Sequence, residues 1–307
     1  MREWIAVYLK GIFMGAADAV PGISGGTIAL ITGIYERLIN ALTAINPIII
    51  RSLVQPHKPE ERRKVKEMLI AMDIKFLLIL AAGLLTAVIT VTQIVGYMLQ
   101  TVPGITYGFF FGLIAAAAFV LYSEVSITTL RLRIVAIVGF AIAFVITGLS
   151  QNALPSTIGV IFVTGAIAIT AMILPGISGS LFLLILGQYE FLINILRKFI
   201  IHIPDALTGN ITPITRPASF VAVFLIGALL GLLTIANIIK WALVNYRTAT
   251  ITFLISLMVG ALRKPIDEIE AAVGIWTPKT IVGITGAMLI GAVLVFVLDY
   301  YTGTIEY

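Results

Sequence analysis

The sequence contains no cysteine. Disulfides, thiolate metal sites and cysteine nucleophiles are therefore excluded. Only two histidines are present, His57 and His202, both in polar stretches between apolar runs. So few imidazoles, with no sulfur ligand beside them, argue against a transition-metal site. No metal and no cofactor are expected.

Charge is scarce as well. Charged residues make up 11% of the 307-residue chain and apolar residues 60%, whereas an average soluble domain is roughly 25% charged. Mean hydropathy is +1.09. A water-soluble core of this size cannot hide so much apolar surface, so the solvent is lipid. The net charge of +5 does not signal nucleic acid. The basic residues sit in loops flanking apolar runs, where they set membrane orientation.

Apolar runs lie near 4–20, 27–50, 76–100, 104–122, 134–149, 158–174, 181–200, 218–241, 248–262 and 280–300. A full membrane span needs about 20 residues. Met1-Arg2 followed by an apolar stretch imitates a signal peptide. That reading is set aside, because Asp18 is out of place at a cleavage site and the segment recurs later in the chain.

The recurrence is the strongest internal signal. Residues 21–42 (PGISGGTIALITGIYERLINAL) match residues 175–196 (PGISGSLFLLILGQYEFLINIL) at 14 of 22 positions, at an offset of 154. Farther on, Phe76 and Gly83 correspond to Phe220 and Gly227, and Thr106 and Phe109 to Thr250 and Phe253. This is the pattern of duplication and fusion found in many secondary transporters. The predicted fold is an all-α polytopic membrane protein of two inverted-topology repeats, residues 1–152 and 153–307. Each repeat is a re-entrant helical hairpin plus three transmembrane helices. The hairpins are placed at 4–45 and 158–196, because nearly 40 residues give about 60 Å of helix, too long for one crossing. Three spans per repeat is an odd number, so the copies insert in opposite senses and their loops meet near the midplane. Lys and Arg placement mildly prefers two broken full spans instead. Both arrangements put the basic loop 51–75, with seven Lys and Arg residues, on the cytoplasmic side, within reach of anionic lipid.

The residues that carry chemistry follow from the repeat. In Pro21-Gly22-Ile23-Ser24-Gly25-Gly26-Thr27 and Pro175-Gly176-Ile177-Ser178-Gly179-Ser180, proline ends the incoming helix and glycine permits tight turns. The next helix begins with free N–H groups, and the hydroxyls of Ser24, Thr27, Ser178 and Ser180 add donors. Such loops suit an anion, although Gly and Ser also serve close helix packing. Asp18 precedes the first loop and is replaced by Met172 in the second copy. It is either an ion- or proton-coupling carboxylate or a cap for the loop N–H groups. The repeated pairs Tyr35-Glu36 and Tyr189-Glu190 are expected about 13 Å along the helix beyond each loop, as interfacial anchors or as gating and proton-handling groups. Arg37 meets a phosphate or pairs with Glu36. Lys240, Arg247, Arg131 and Arg133 flank spans; snorkelling at interfaces is the expected reading, contact with a substrate the alternative.

The stretches GAADAVPGISGGT and LPGISGS, each followed by GxYE, resemble the polyprenyl-phosphate (undecaprenyl-phosphate) transporter family, formerly a membrane domain family of unknown function. The resemblance covers nearly the whole chain. It implies translocation of undecaprenyl phosphate or a similar lipid phosphate across the cytoplasmic membrane for recycling into envelope glycan synthesis. Coupling to a proton or sodium ion is a separate expectation, from Asp18 and the glutamates. The resemblance also places the two loops, Asp18, Glu36, Arg37 and Glu190 at or near the path. Two rival functions remain. Membrane diphosphate phosphatases carry a PGxSRSxxT loop, but here Gly25-Gly26 replaces its Arg-Ser, and arginine is the group that clamps a transferring phosphoryl. A small-anion channel or exchanger also uses Gly- and Ser-rich loops at helix starts.

Overall fold

The structure is a computed structural model, and the residues it describes are 2–18, 24–44, 67, 69–123, 125–149 and 154–302. Pro21, Gly22 and the basic segment up to residue 66 lie outside them. The helices, in chain order, are α1 (Arg2–Asp18), α2 (Gly25–Ile31), α3 (Tyr35–Thr43), α4 (Ile74–Thr101), α5 (Pro103–Ser123), α6 (Leu130–Thr147), α7 (Ile158–Ile173), α8 (Gly179–Ile185), α9 (Tyr189–Ile201), α10 (Ile203–Leu207), α11 (Thr212–Ala261), α12 (Arg263–Ala272) and α13 (Pro278–Thr302). No strand occurs among the described residues. Helix is what long apolar runs must form in lipid, where every backbone N–H and C=O needs an internal partner. Among the described residues, four stretches are long and apolar enough to cross a membrane: Pro103–Ser123, Leu130–Thr147, Thr212–Ala272 and Pro278–Val297. The bent pair α8 and α9 makes a fifth if counted as one span. The chain is an all-α, multi-pass membrane protein.

The longest helix folds back on itself. Gly231 and Leu257 line one cavity, yet 26 residues of straight helix would hold them about 39 Å apart. The reversal falls at Tyr246, whose backbone is non-helical (φ −143°, ψ 47°). Val102, between α4 and α5, has nearly the same conformation (φ −138°, ψ 55°). It lies 144 residues earlier, the spacing that relates Phe76 to Phe220. The apolar runs 218–241 and 248–262 are thus the two arms of α11.

Each incoming helix, α1 or α7, runs antiparallel to the limb that follows it. Lys10 Nζ donates to the Thr32 carbonyl at 2.6 Å, and Arg37 Nη1 reaches Glu3 at 3.0 Å, so the chain returns to the end where α1 began. In the second copy Gln188 Nε2 donates to the Leu154 carbonyl at 2.6 Å, and Ser156 Oγ to Gln188 Oε1 at 2.8 Å. The outgoing limbs are not single half-helices as the sequence led us to expect. Gly33 (φ 69°) and Gly187 (φ 68°) adopt left-handed backbone that stops α2 and α8 after two turns. α9 then leaves α8 at 109°. Tyr35-Glu36 and Tyr189-Glu190 therefore open new helices instead of riding 13 Å up a continuing one.

Packing repeats in the two halves. α1 lies along α4 and α7 along the first arm of α11, while α5 pairs with α13 and α6 with the second arm. Glycines sit where the backbones approach most closely. A Cβ on Gly83 would strike the Tyr8 carbonyl, and one on Gly227 would strike the Phe162 carbonyl. Small residues at crossings are the means by which helices associate when lipid supplies no hydrophobic drive.

Candidate functional site

The two loops meet. The Gly176 N–H donates to Thr27 Oγ1 at 2.8 Å, and Ser24 Oγ donates to the Leu174 carbonyl at 3.1 Å. Ser24, Thr27 and Ser178 are all fully or almost fully buried. Two glycines make the approach possible. A Cβ on Gly26 would lie 2.7 Å from the Ile173 carbonyl oxygen. Gly176, at φ +87°, has the Met258 backbone 2.8 Å from where its Cβ would be. Neither spacing tolerates a side chain, and the positive φ at Gly176 independently favours glycine.

The two N-caps are alike in backbone and different in chemistry. Ser24 and Ser178 are both extended N-caps (φ −117° and −100°). At α2, Ser24 Oγ accepts from the Gly26 N–H at 3.1 Å and Asp18 Oδ1 accepts from the Gly25 N–H at 2.7 Å. The capping role weighed for Asp18 is therefore present as a bond. At α8 the Ser178 hydroxyl instead bonds to the Ser180 hydroxyl at 2.8 Å and gives no cap. A cavity of about 260 Å³ lies against this loop, lined by Asp18, Met172, Ser178, Gly179 and Ser180 among others. A carboxylate carried by the first hairpin thus faces the hydroxyl pair of the second.

The residues beyond the loops divide unevenly. Tyr35 is 2% exposed, and its hydroxyl has no hydrogen-bond partner among the described residues. Tyr189, its counterpart, is 37% exposed. The interfacial-anchor reading therefore fails for Tyr35, because the break at Gly33 turns its ring into the bundle. Arg37 does not pair with Glu36. It reaches Glu3 at 3.0 Å and Asp73 at 2.7 Å, and its guanidinium stacks 4.5 Å from the Phe76 ring centroid. In the second copy Phe191 takes its place and meets Phe220, the counterpart of Phe76, edge to face at 5.1 Å.

Glu36 pairs across the chain with Arg247, at 2.9 Å. Lys240 Nζ donates to Thr43 Oγ1 at 3.1 Å. Glu36, Asn40, Lys240 and Arg247 line a cavity of about 310 Å³ between α3 and the break in α11. Lys240 and Arg247, placed by the sequence as charges flanking spans, thus also have protein partners, and the sequence did not bring them together. The available signal was position: Arg247 directly follows the residue at which one long apolar stretch must reverse. Arg131 does stack near the Tyr246 ring, at 5.2 Å. Glu190 is exposed and has no ion pair among the described residues. No group of three His, Cys, Asp or Glu residues suited to a metal occurs among them either.

Residues 14–283 match the family model described as undecaprenyl phosphate translocase-like. The chain is similar to a polyprenyl-phosphate transporter of Vibrio cholerae, 37% identical over 262 residues, covering 85% of this chain and 77% of the relative. It is also similar to a polyprenyl-phosphate transporter of Staphylococcus aureus, 30% identical over 311 residues, covering 92% of this chain and 93% of the relative. No solved structure matches the chain.

Proposed function

From the premise that this chain belongs to the undecaprenyl phosphate translocase-like family, we propose that it is a transporter carrying polyprenyl phosphate across the cytoplasmic membrane for reuse. The observation that carries the reading is the meeting of two hydroxyl-bearing loops at the Thr27–Gly176 bond, with Asp18 facing Ser178 and Ser180 across a cavity. A phosphate head needs a polar route through hydrocarbon, while its prenyl tail remains in lipid. Irregular backbone at membrane depth is tolerated where it lines such a route.

The architecture behind this is two inverted-topology repeats, residues 1–152 and 153–307, each with a re-entrant hairpin and three spans. The matched backbone of Gly33 with Gly187, and of Val102 with Tyr246, supports it, as do the antiparallel limbs of each hairpin. Rocking of one repeat against the other then alternates access. The binding residues are Pro21, Gly22, Ser24, Gly25, Gly26 and Thr27 in one loop and Pro175, Gly176, Ser178, Gly179 and Ser180 in the other. Arg37 lies on the path at the end where α1 begins. Asp18 couples transport to a proton or sodium ion. Its carboxylate stands where the phosphate would enter, and like charges in a low-dielectric site repel strongly, so neutralisation of one admits the other. Tyr35, Glu36, Tyr189 and Glu190 serve gating.

The relatives are named transporters, and a phosphatase reading lacks the arginine of its loop, where Gly25 and Gly26 stand. The test is transbilayer movement of a fluorescent polyprenyl phosphate in proteoliposomes, for wild type and a Ser24→Ala, Ser178→Ala double variant. Movement by wild type that the variant loses is the expected result. Leakage of chloride or inorganic phosphate without lipid movement would replace this reading with a small-anion channel.

A further inference from the structure

The cavity at the break in α11 is lined by charged side chains of both signs. Lys240 and Arg247 supply two positive charges and Asn40 an amide, against the single carboxylate of Glu36. Its volume of about 310 Å³ equals roughly ten water molecules at about 30 Å³ each, ample for a phosphate group. Glu36 Oε1 lies 2.9 Å from Arg247 Nη2, yet that oxygen, the buried one on a half-exposed side chain, makes no aligned hydrogen bond among the described residues. The pair is a charge contact without the paired geometry that makes arginine–carboxylate contacts strong. Arg247 also reaches a second cavity of about 480 Å³ that holds Ser126 and Thr128. The guanidinium therefore stands between two polar spaces.

We infer that Lys240, Arg247 and Asn40 form a binding site for a phosphate monoester, in which Glu36 acts as the internal competitor that the phosphate displaces. This rests on the transporter reading and adds a second head-group station to it, away from the loops, at the end of the bundle where α1 begins. The phosphate offers three oxygens to the guanidinium, which meets the Glu36 carboxylate, and to the ammonium, which meets the Thr43 hydroxyl. When the phosphate leaves, Glu36 returns to Arg247 and the station is reset. A merely structural ion pair would not behave this way, because loss of either partner would then do the same harm.

That difference is the basis of the test. Trp241 adjoins Lys240 and meets Tyr246 edge to face at 5.6 Å, so its fluorescence reports on the break. In a Trp4→Phe, Trp276→Phe background in nanodiscs, farnesyl phosphate and inorganic phosphate are titrated separately. Arg247→Gln and Lys240→Gln are expected to weaken farnesyl phosphate binding about tenfold or more, the loss of one charge-assisted contact. Glu36→Gln is expected to tighten it several-fold. Parallel binding of inorganic phosphate supports the site and shows that it reads phosphate alone; binding of farnesyl phosphate only supports it and adds the chain. Unchanged binding in Arg247→Gln, or weakening by Glu36→Gln equal to that by Arg247→Gln, overturns the inference. Wild-type proteoliposomes that still move polyprenyl phosphate in that case would leave the transporter reading intact.

Discussion

The Thr27 hydroxyl accepts a 2.8 Å hydrogen bond from the Gly176 N–H, so a side chain of one hairpin completes the loop of the other. Both partners are buried, and the sequence separation is 149 residues. Thr27→Val keeps the shape and removes the acceptor, leaving a buried N–H unsatisfied. We expect a loss of about 1–2 kcal/mol, within the range for such a deletion, together with reduced transport. Thr27→Ser restores the acceptor and should recover most of both. Thermal unfolding in one detergent, alongside lipid movement in vesicles, measures the two effects.

The cap that Asp18 forms and the coupling proposed for it are separable. Asp18→Asn retains an oxygen that can accept from the Gly25 N–H at the position Asp18 Oδ1 now holds, but it cannot exchange a proton. The expected variant folds, moves lipid slowly, and no longer responds to an imposed pH gradient. A variant whose response to the gradient matches wild type would sink the coupling role. Asp18→Ala removes the cap as well and should cost about 1 kcal/mol more in stability.

The close helix crossings predict a graded response to one methyl group. At Gly227 a Cβ meets the Phe162 carbonyl, a backbone atom that cannot swing aside. Gly227→Ala and its counterpart Gly83→Ala should each destabilise by about 1–3 kcal/mol, as overpacking does. At Gly96, in α4, nothing lies within 4 Å of the added carbon. Gly96→Ala should be neutral or stabilising by up to about 1 kcal/mol. Equal melting temperatures for the three variants would contradict the crossings described.

Arg37 is held by Glu3, Asp73 and the Phe76 ring, and all three charged groups are partly exposed. The ion pairs are therefore screened, and the ring contact carries a share of the stability. Arg37→Ala should destabilise more than Arg37→Phe, because phenylalanine can reproduce the Phe191–Phe220 contact of the other half. Raising salt should narrow the gap between wild type and both variants. Unfolding curves at low and high NaCl decide it, and a larger loss in Arg37→Phe than in Arg37→Ala would refute the role given to the ring.

Much of the candidate site was legible because duplication writes it twice. The identical pentapeptides marked the loops, and a proline followed by glycines in an apolar setting has few structural outcomes. Asp18 was legible as a carboxylate with nowhere soluble to go. The breaks at Gly33 and Gly187 were not, since a glycine inside an apolar run reads equally well as a packing residue. Their left-handed φ is a property of the folded backbone. The partners of Arg247 and Lys240 were not legible for a related reason: a basic residue at the end of an apolar run looks the same in sequence whether it only snorkels or also meets another helix.

The sequence alone determined that the chain lives in lipid, that it is helical, and that two related units carry paired Pro-Gly-Ile-Ser-Gly loops. Those follow from composition, run length and internal identity, which are local or additive. Only the tertiary structure decided which groups meet: Thr27 with Gly176, Asp18 with the cavity of Ser178 and Ser180, and Glu36 with Arg247. Each contact joins residues far apart in the chain. It depends on where α2 and α8 stop and where α11 reverses, and on helix crossings set by atoms that no local pattern encodes.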